Sequence, residues 1–331
     1  MASTLPVVTV LCPAGVDGVD GADAPAGLDT LRDRAEIRTV VAEDLADGLR
    51  GADALFLWDF FSSAVSDAWH AADALRWIHV AAAGVDKMLF DELIASDVVV
   101  TNAQGIFDRP IAEYVLGAVI ARAKDFAGSL TRQHDGVWEH RETHQVRGST
   151  ALVIGTGAIG REIATLLRAV GVEVFAAGRT ARSDDPDFGT VIASEDLAAH
   201  IGAADHIINA APLTPQTRGL IDGDALSAVA EGAHLVNIGR GESVDEAALV
   251  EALDSGPLGF ATLDVFAVEP LPEDSPLWGR EDVLLSAHMS GDVVGWRDAL
   301  AEQFLDNARR WLDREPLANV VDKERGYVPR T

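Results

Sequence analysis

The chain has 331 residues, 48% of them hydrophobic and 24% charged, an ordinary globular composition with length enough for two separately cored domains and unsuited to disorder or fibre. Fifty-three acidic against 26 basic residues leave a formal charge of −27, a field that repels nucleic acid and anionic lipid and argues against both as partners. The single cysteine, Cys12, excludes an intrachain disulfide framework and fits a reducing compartment, so the cytoplasm is the expected location and a small packed side chain in a strand the expected role. Three lysines (Lys87, Lys124, Lys323) among so many arginines fit either a GC-rich genome or a salt-adapted surface.

The N-terminal stretch MASTLPVVTVLCPAG has no basic leading segment, and its β-branched run reads as a first strand and not as a signal peptide. Residues 15–29, GVDGVDGADAPAGLD, lack the ligand spacing of a calcium loop and read as an exposed loop. Up to about residue 100, apolar runs such as ADALFLW and SDVVVTN alternate with amphipathic stretches, a βαβ rhythm that predicts a parallel sheet. A long helix is expected from about Pro110 to the low 130s. Its most apolar part, IAEYVLGAVIA, carries Glu113, and no run reaches 18 apolar residues, so a soluble protein without a membrane span is expected. HRETH puts His140 and His144 four residues apart but lacks the zincin order and a third ligand, so it reads as a solvated connector and no metal is expected. His79, His134, His200, His206 and His234 have no partner motif.

STALVIG opens a second βαβ series that continues to about residue 290. The glycines of GTGAIG, Gly155, Gly157 and Gly160, follow a β-branched strand and precede a good helix. In that context the first permits a tight turn, the second lets backbone approach a pyrophosphate at Ala158 and Ile159, and the third lets helix and strand pack closely. An NAD-binding unit carries an acidic residue about 20 positions on, against the ribose 2′-hydroxyl. Gly178 and Arg179 stand there instead, with Thr180 and Arg182 following, a set that suits a 2′-phosphate and predicts NADP(H) over NAD(H), the alternative being arginines that only solubilise a loop.

Three later strands each end on a charged or titratable residue: Arg240 in HLVNIGRG, Glu269 in ATLDVFAVEP and His288 in VLLSAHMSG. Loops after strand C-termini line the binding crevice of open α/β sheets. Reducing a 2-keto acid requires a hydride at C2, a proton for the emerging alkoxide and a cation for the carboxylate. An imidazole titrates near neutrality and suits the proton transfer, Glu269 would favour its charged form and orient it, and the forked Arg240 would bind the carboxylate and polarise the carbonyl. Singly, each also reads as a structural residue; the combination with the glycine turn favours chemistry.

With AAAGVD (81–86), TNAQGIFDRPIAEYVLG (101–117) and the closing NVVDKERGYVP, these motifs resemble the D-isomer-specific 2-hydroxyacid dehydrogenase family over most of the chain, with a glyoxylate/hydroxypyruvate reductase-like, NADP-type pattern. The resemblance implies two doubly wound parallel-sheet domains, a flavodoxin-like substrate domain (1–101 plus 291–331) and a Rossmann cofactor domain (102–290), with an interdomain cleft that closes on substrate. It also implies catalysis by Arg240, Glu269 and His288, and carboxylate binding by the backbone of Ala83 and Gly84 together with Arg240 and His288. Asp264 and Ile238 would lie near the nicotinamide and Pro212 beside adenosine. A homodimer is implied, with the helix near residues 110–130 as candidate interface. Phosphoglycerate dehydrogenases place basic residues where this chain has WDFF and AAAG. Trp58, Phe60 and Phe61 offer apolar surface there, although core packing is the reading favoured for them, so a small or apolar 2-keto acid is expected over a phosphorylated one, while Arg297, beside Trp296, reads either as a second substrate cation or as a first-turn helix residue. The alternatives are a phosphoglycerate dehydrogenase-like enzyme and a dinucleotide-sensing corepressor that keeps the fold without turnover.

Overall fold

The computed structural model describes residues 5–14 and 24–329. Residues 15–23 of the expected exposed loop, and the first four residues of the stretch read as leaderless, lie outside the described residues. The chain forms two compact units, Met1–Ile106 with Val293–Thr331, and Phe107–Asp292.

In the first unit, β1 (Val7–Leu11), β2 (Glu36–Val40), β3 (Ala54–Leu57), β4 (Trp77–Val80) and β5 (Val99–Asn102) form one sheet in the order β2-β1-β3-β4-β5, every pair parallel. This is the expected flavodoxin-like order. Period-two alternation sorts the side chains. Leu55, Leu57, Ile78 and Val80 pack with Leu45, Leu49 and Leu93 on one face. Phe56, Trp77 and His79 point to the other, where Phe304 of the helix Trp296–Asp313 stacks on Phe56 at 3.9 Å. The tail then covers the β5 edge: Val321 N–H donates to Val100 O at 2.8 Å, and Lys323 Nζ donates to the carbonyls of Leu93 and Ser96 at 2.9 and 2.6 Å, closing the end of the helix Asp91–Ala95. Cys12 is buried just beyond β1 and not within it.

The second unit contains β6 (Thr150–Ile154), β7 (Glu173–Gly178), β8 (Arg182–Asp185), β9 (Gly189–Ala193), β10 (His206–Asn209), β11 (Ala233–Asn237), β12 (Leu258–Leu263) and β13 (Val283–Leu285). Their order is β13-β12-β11-β10-β6-β7-β9-β8, parallel except for the β8–β9 hairpin. The chain winds outward from β6 in both directions, so the switch point of this Rossmann sheet lies between β6 and β10, beside the glycine turn. The single long helix expected from Pro110 is instead two, Asp108–Ala123 and Phe126–His134. Asp125 breaks it: the residue is left-handed (φ 48°) and its carboxylate accepts from Gly128 N–H at 3.1 Å, capping the second helix. Among the described residues, no helix is long and apolar enough to cross a membrane.

The sheets also account for His79, His206 and His234, while His134 and His200 are exposed at the ends of the helices Phe126–His134 and Leu197–His200. His79 is buried with Nδ1 2.8 Å from Thr101 Oγ1, and His234 is buried with Nε2 2.9 Å from Thr262 Oγ1 and its ring edge-on to His206. Burial pushes His79 down to about 3 from an ordinary 6.5. Between those values the unfolded chain binds the extra proton, so stability falls as pH is lowered, by about 1.4 kcal/mol per pH unit for this one group. His79→Gln should flatten the pH dependence of urea unfolding by that amount between about pH 6 and pH 4; a slope equal to wild type would show that His79 titrates alike in both states.

Candidate active site

β6 runs into Gly155, whose φ of 109° belongs to the region glycine alone occupies easily, and a Cβ there would stand 2.7 Å from Ala210 O. At Gly160 a Cβ would meet Gly155 O at 2.0 Å, so the helix Ala158–Ala169 sits directly on the turn. Gly157 is different: nothing lies within 4 Å of the place its Cβ would take. It precedes the helix without any side-chain cap, which leaves the first-turn N–H groups of Ala158, Ile159 and Gly160 to be satisfied from outside. That bare, dipole-positive cradle fits the pyrophosphate of a nicotinamide dinucleotide.

At the end of β7, a Cβ on Gly178 would lie 3.2 Å from Thr156 Cγ2, 3.3 Å from its Oγ1 and 3.3 Å from Val191 Cγ1, so any side chain there would make these neighbours give by a few tenths of an ångström. Arg179 and Thr180 follow, both exposed. Arg182 has a different setting. Its Nε and Nη2 donate to Asp185 Oδ2 at 2.9 and 2.8 Å, while Arg161 Nη1 donates to Asp185 Oδ1 at 3.0 Å and also contacts Asp187. Asp185 is buried, which alone would raise its pKa, but hydrogen bonds from the two arginines hold it well below the usual carboxylate range. The structure therefore puts Arg182 in an ion-pair network that braces the β8–β9 hairpin behind Arg179 and Thr180.

Arg240, Glu269 and His288 lie on the loops that leave the carboxyl ends of adjacent strands β11, β12 and β13. Glu269 Oε2 lies 2.8 Å from His288 Nδ1, and Oε1 accepts from Phe266 N–H at 3.0 Å. The carboxylate is thus held at both oxygens, and the ring nitrogen Nε2 is turned away from it. Arg240 is set by a buried amide and hydroxyl network: its carbonyl accepts from Asn237 Nδ2 at 3.1 Å and Ser243 Oγ at 2.5 Å, and Asn209 Nδ2 donates to Asn237 Oδ1 and Ser243 Oγ at 2.8 and 2.6 Å. Gly241 follows, and a Cβ there would overlap the Phe266 carbonyl carbon at 1.8 Å. The Arg240 turn is therefore pressed against the loop that carries Glu269.

His288 is left-handed, φ 50°, a conformation that costs a non-glycine residue about 1–3 kcal/mol. Asp264, 1% exposed, offsets that cost: Oδ1 accepts from Met289 N–H at 2.9 Å, Oδ2 from Ser290 N–H at 3.0 Å, and its backbone carbonyl from His288 N–H at 2.8 Å. The Glu269–Pro270 bond is cis. Ile238 is buried at the end of β11, and Pro212 is exposed with its carbonyl accepting from Thr217 Oγ1 at 2.6 Å.

In the first unit, Ala83 and Gly84 lie in the loop after β4, where Asn102 Nδ2 donates to Ala83 O at 2.6 Å. Trp58 is buried, whereas Phe61 is half exposed, 4.6 Å from Phe60. Arg297 is in the first turn of its helix with its guanidinium over the Trp296 ring at 5.3 Å. His140 and His144 are exposed on a non-helical segment, and among the described residues no group of His, Cys, Asp or Glu could hold a metal ion. Sequence reasoning missed Asn209, Asn237, Ser243, Thr156 and the Arg161–Asp185 pair. The asparagine that closes each of β10 and β11 was the available signal, because an amide at a strand end beside a glycine turn has backbone to bind.

The winding order, the bare glycine turn and the carboxyl-edge loops define a dinucleotide-binding oxidoreductase. The profile of the D-isomer specific 2-hydroxyacid dehydrogenase, NAD binding domain matches residues 116–290, and the chain belongs to that family. It is 34% identical over 240 residues, 72% of this chain and 78% of the other, to (S)-sulfolactate dehydrogenase of Chromohalobacter salexigens. It is 30% identical over 264 residues, 78% and 83% of the two chains, to glyoxylate/hydroxypyruvate reductase A of Salmonella typhi. The crystal structure of a D-isomer specific 2-hydroxyacid dehydrogenase from Xanthobacter autotrophicus Py2, in complex with NADPH and MES, matches with a TM-score of 0.78 at 28% identity, over 98% of this chain and 100% of that one. The protein is accordingly an NAD(P)-dependent 2-hydroxyacid dehydrogenase.

The glycines separate binding from folding. Gly157→Val should leave the melting temperature nearly unchanged yet weaken NADPH binding at least about tenfold in a fluorescence titration, whereas Gly160→Val should cost roughly 3 kcal/mol or more of stability. Equal losses of stability in the two variants would contradict the open cradle at Gly157.

Proposed function

We propose that the protein reduces a small 2-keto acid to the D-2-hydroxy acid with NADPH, and that Arg240, Glu269 and His288 carry the chemistry. The observation that supports this most is the 2.8 Å contact between His288 Nδ1 and Glu269 at the edge where the Arg240 turn also emerges. Glu269 fixes the ring at Nδ1, so Nε2–H is presented to the substrate and gives its proton to the alkoxide oxygen as that oxygen forms. Arg240 binds the carboxylate as a fixed cation and draws charge from the carbonyl. The backbone N–H groups of Ala83 and Gly84 hold the same carboxylate. Gly155, Gly157, Ala158, Ile159 and Gly160 would hold the pyrophosphate, Arg179 and Thr180 the 2′-phosphate, Pro212 the adenosine, and Ile238 with Asp264 the nicotinamide side. The dinucleotide, when bound, supplies the hydride to C2.

The NADPH choice rests on Gly178 and Arg179, and the NADPH in the Xanthobacter structure supports it. Relatives described as glyoxylate/hydroxypyruvate reductase and as sulfolactate dehydrogenase favour a short keto acid. A cytoplasmic homodimer completes the reading. The exposed Phe126 and Leu130, and Trp138 at full exposure, supply apolar surface for an interface along the paired helices and the segment after them.

Following NADPH and NADH absorbance against glyoxylate, hydroxypyruvate, pyruvate and 3-sulfopyruvate tests the reading as a whole, and cofactor binding without turnover on any acid would favour a sensing role. His288→Ala should lower turnover about a thousandfold while NADPH affinity is kept; near-wild-type turnover would mean that another group delivers the proton. Arg179→Leu should lower the NADPH-to-NADH ratio of kcat/KM at least about tenfold, whereas Arg182→Gln should lower thermal stability and leave that ratio within about twofold of wild type. The reverse pattern would reassign the 2′-phosphate to Arg182.

A further inference from the structure

The left-handed His288 turn depends on Asp264, and Asp264 has a third contact at its carboxylate. Ser286 Oγ donates to Asp264 Oδ1 at 2.6 Å, and the hydroxyl of Tyr114 lies 2.6 Å from Ser286 Oγ. The serine has one proton and gives it to the carboxylate, so Tyr114 must be the donor in the outer bond. Burial, and to a lesser degree the charge of Asp264, raise the Tyr114 phenol above its ordinary range against the opposing Ser286 hydrogen bond, which keeps it a donor. The result is a directed chain, Tyr114 to Ser286 to Asp264, that begins on the helix Asp108–Ala123 and ends on the carboxylate that grips the amides of Met289 and Ser290.

We propose that Tyr114 and Ser286 are positioning residues for the proposed proton donor: they orient the Asp264 carboxylate, and through it hold His288 where its ring meets Glu269. This rests on the reading of His288 given above. Without the Ser286 hydroxyl, Oδ1 loses one of two donors, and the carboxylate is held only by the amides of Met289 and Ser290, the groups it must itself position. Tyr114 acts on nothing in the turn directly, so its whole effect passes through Ser286.

That dependence can be measured with Tyr114→Phe, Ser286→Ala and the double variant. Ser286→Ala should lower kcat about tenfold and Tyr114→Phe somewhat less, with the loss in kcat exceeding any rise in KM for NADPH, because a displaced donor harms the transition state more than the cofactor binding that Asp264 also borders. The double variant should lose no more than Ser286→Ala, since a relay broken at its second link is not broken further at its first. Losses that multiply, or kcat within about twofold of wild type in both single variants, would overturn the proposal. Backbone amide exchange over residues 286–292, which needs no turnover, should quicken in both single variants and no further in the double. If wild type reduces no 2-keto acid, the function assigned above falls by itself and the exchange rates decide the clamp: unchanged or multiplying rates sink it.

Discussion

Parallel pairing obliges every strand of a sheet to deliver its following loop at the same edge, and the candidate site depends on that constraint. In the second unit β11, β12 and β13 are neighbours, so the turns bearing Arg240, Glu269 and His288 emerge side by side although 48 residues of chain run from the first to the last. The glycine turn follows β6 at the same edge, where the winding reverses and the crevice opens without any residue being spent to make it. Glycine supplies the remaining closeness: Gly241 lets the Arg240 turn touch the Glu269 loop, and Gly160 seats a helix on the phosphate turn.

Polar groups within this edge are held by other polar groups that are themselves buried. Asn209, Asn237 and Ser243 converge on the Arg240 carbonyl, and Asp264 collects the amides around His288. Such networks cost desolvation to assemble and are worth having only when nearly every member is satisfied. What they contribute here is orientation. A guanidinium, a carboxylate and an imidazole on loops would otherwise sample many rotamers.

The arginines after β7 show the same division in a protein of formal charge −27. Arg182 and Arg161 neutralise the buried Asp185, and the hairpin they brace carries Arg179 and Thr180 at its root. Breaking one side of a buried pair leaves a charge unpaired, whereas an exposed arginine is replaced at small cost in stability. Within this short run of sequence Arg182 serves loop rigidity, while Arg179 stands exposed beside it.

The amino-acid sequence by itself determined the two βαβ series, the turn at Gly155, Gly157 and Gly160, the missing acid at Gly178 and the three residues Arg240, Glu269 and His288 on the loops after β11, β12 and β13. Each is a local pattern: strand and helix periods, glycine spacing and strand-end side chains can be read without knowing which strands are neighbours. Tertiary structure alone decided the rest. It paired Arg182 with Asp185, broke the long helix at Asp125, turned His288 left-handed against Asp264 and set Tyr114 behind Ser286, 172 residues away. Those outcomes depend on which groups meet after the sheet has assembled, and hydrogen bonds between residues remote in the chain leave no spacing in the sequence from which to infer them.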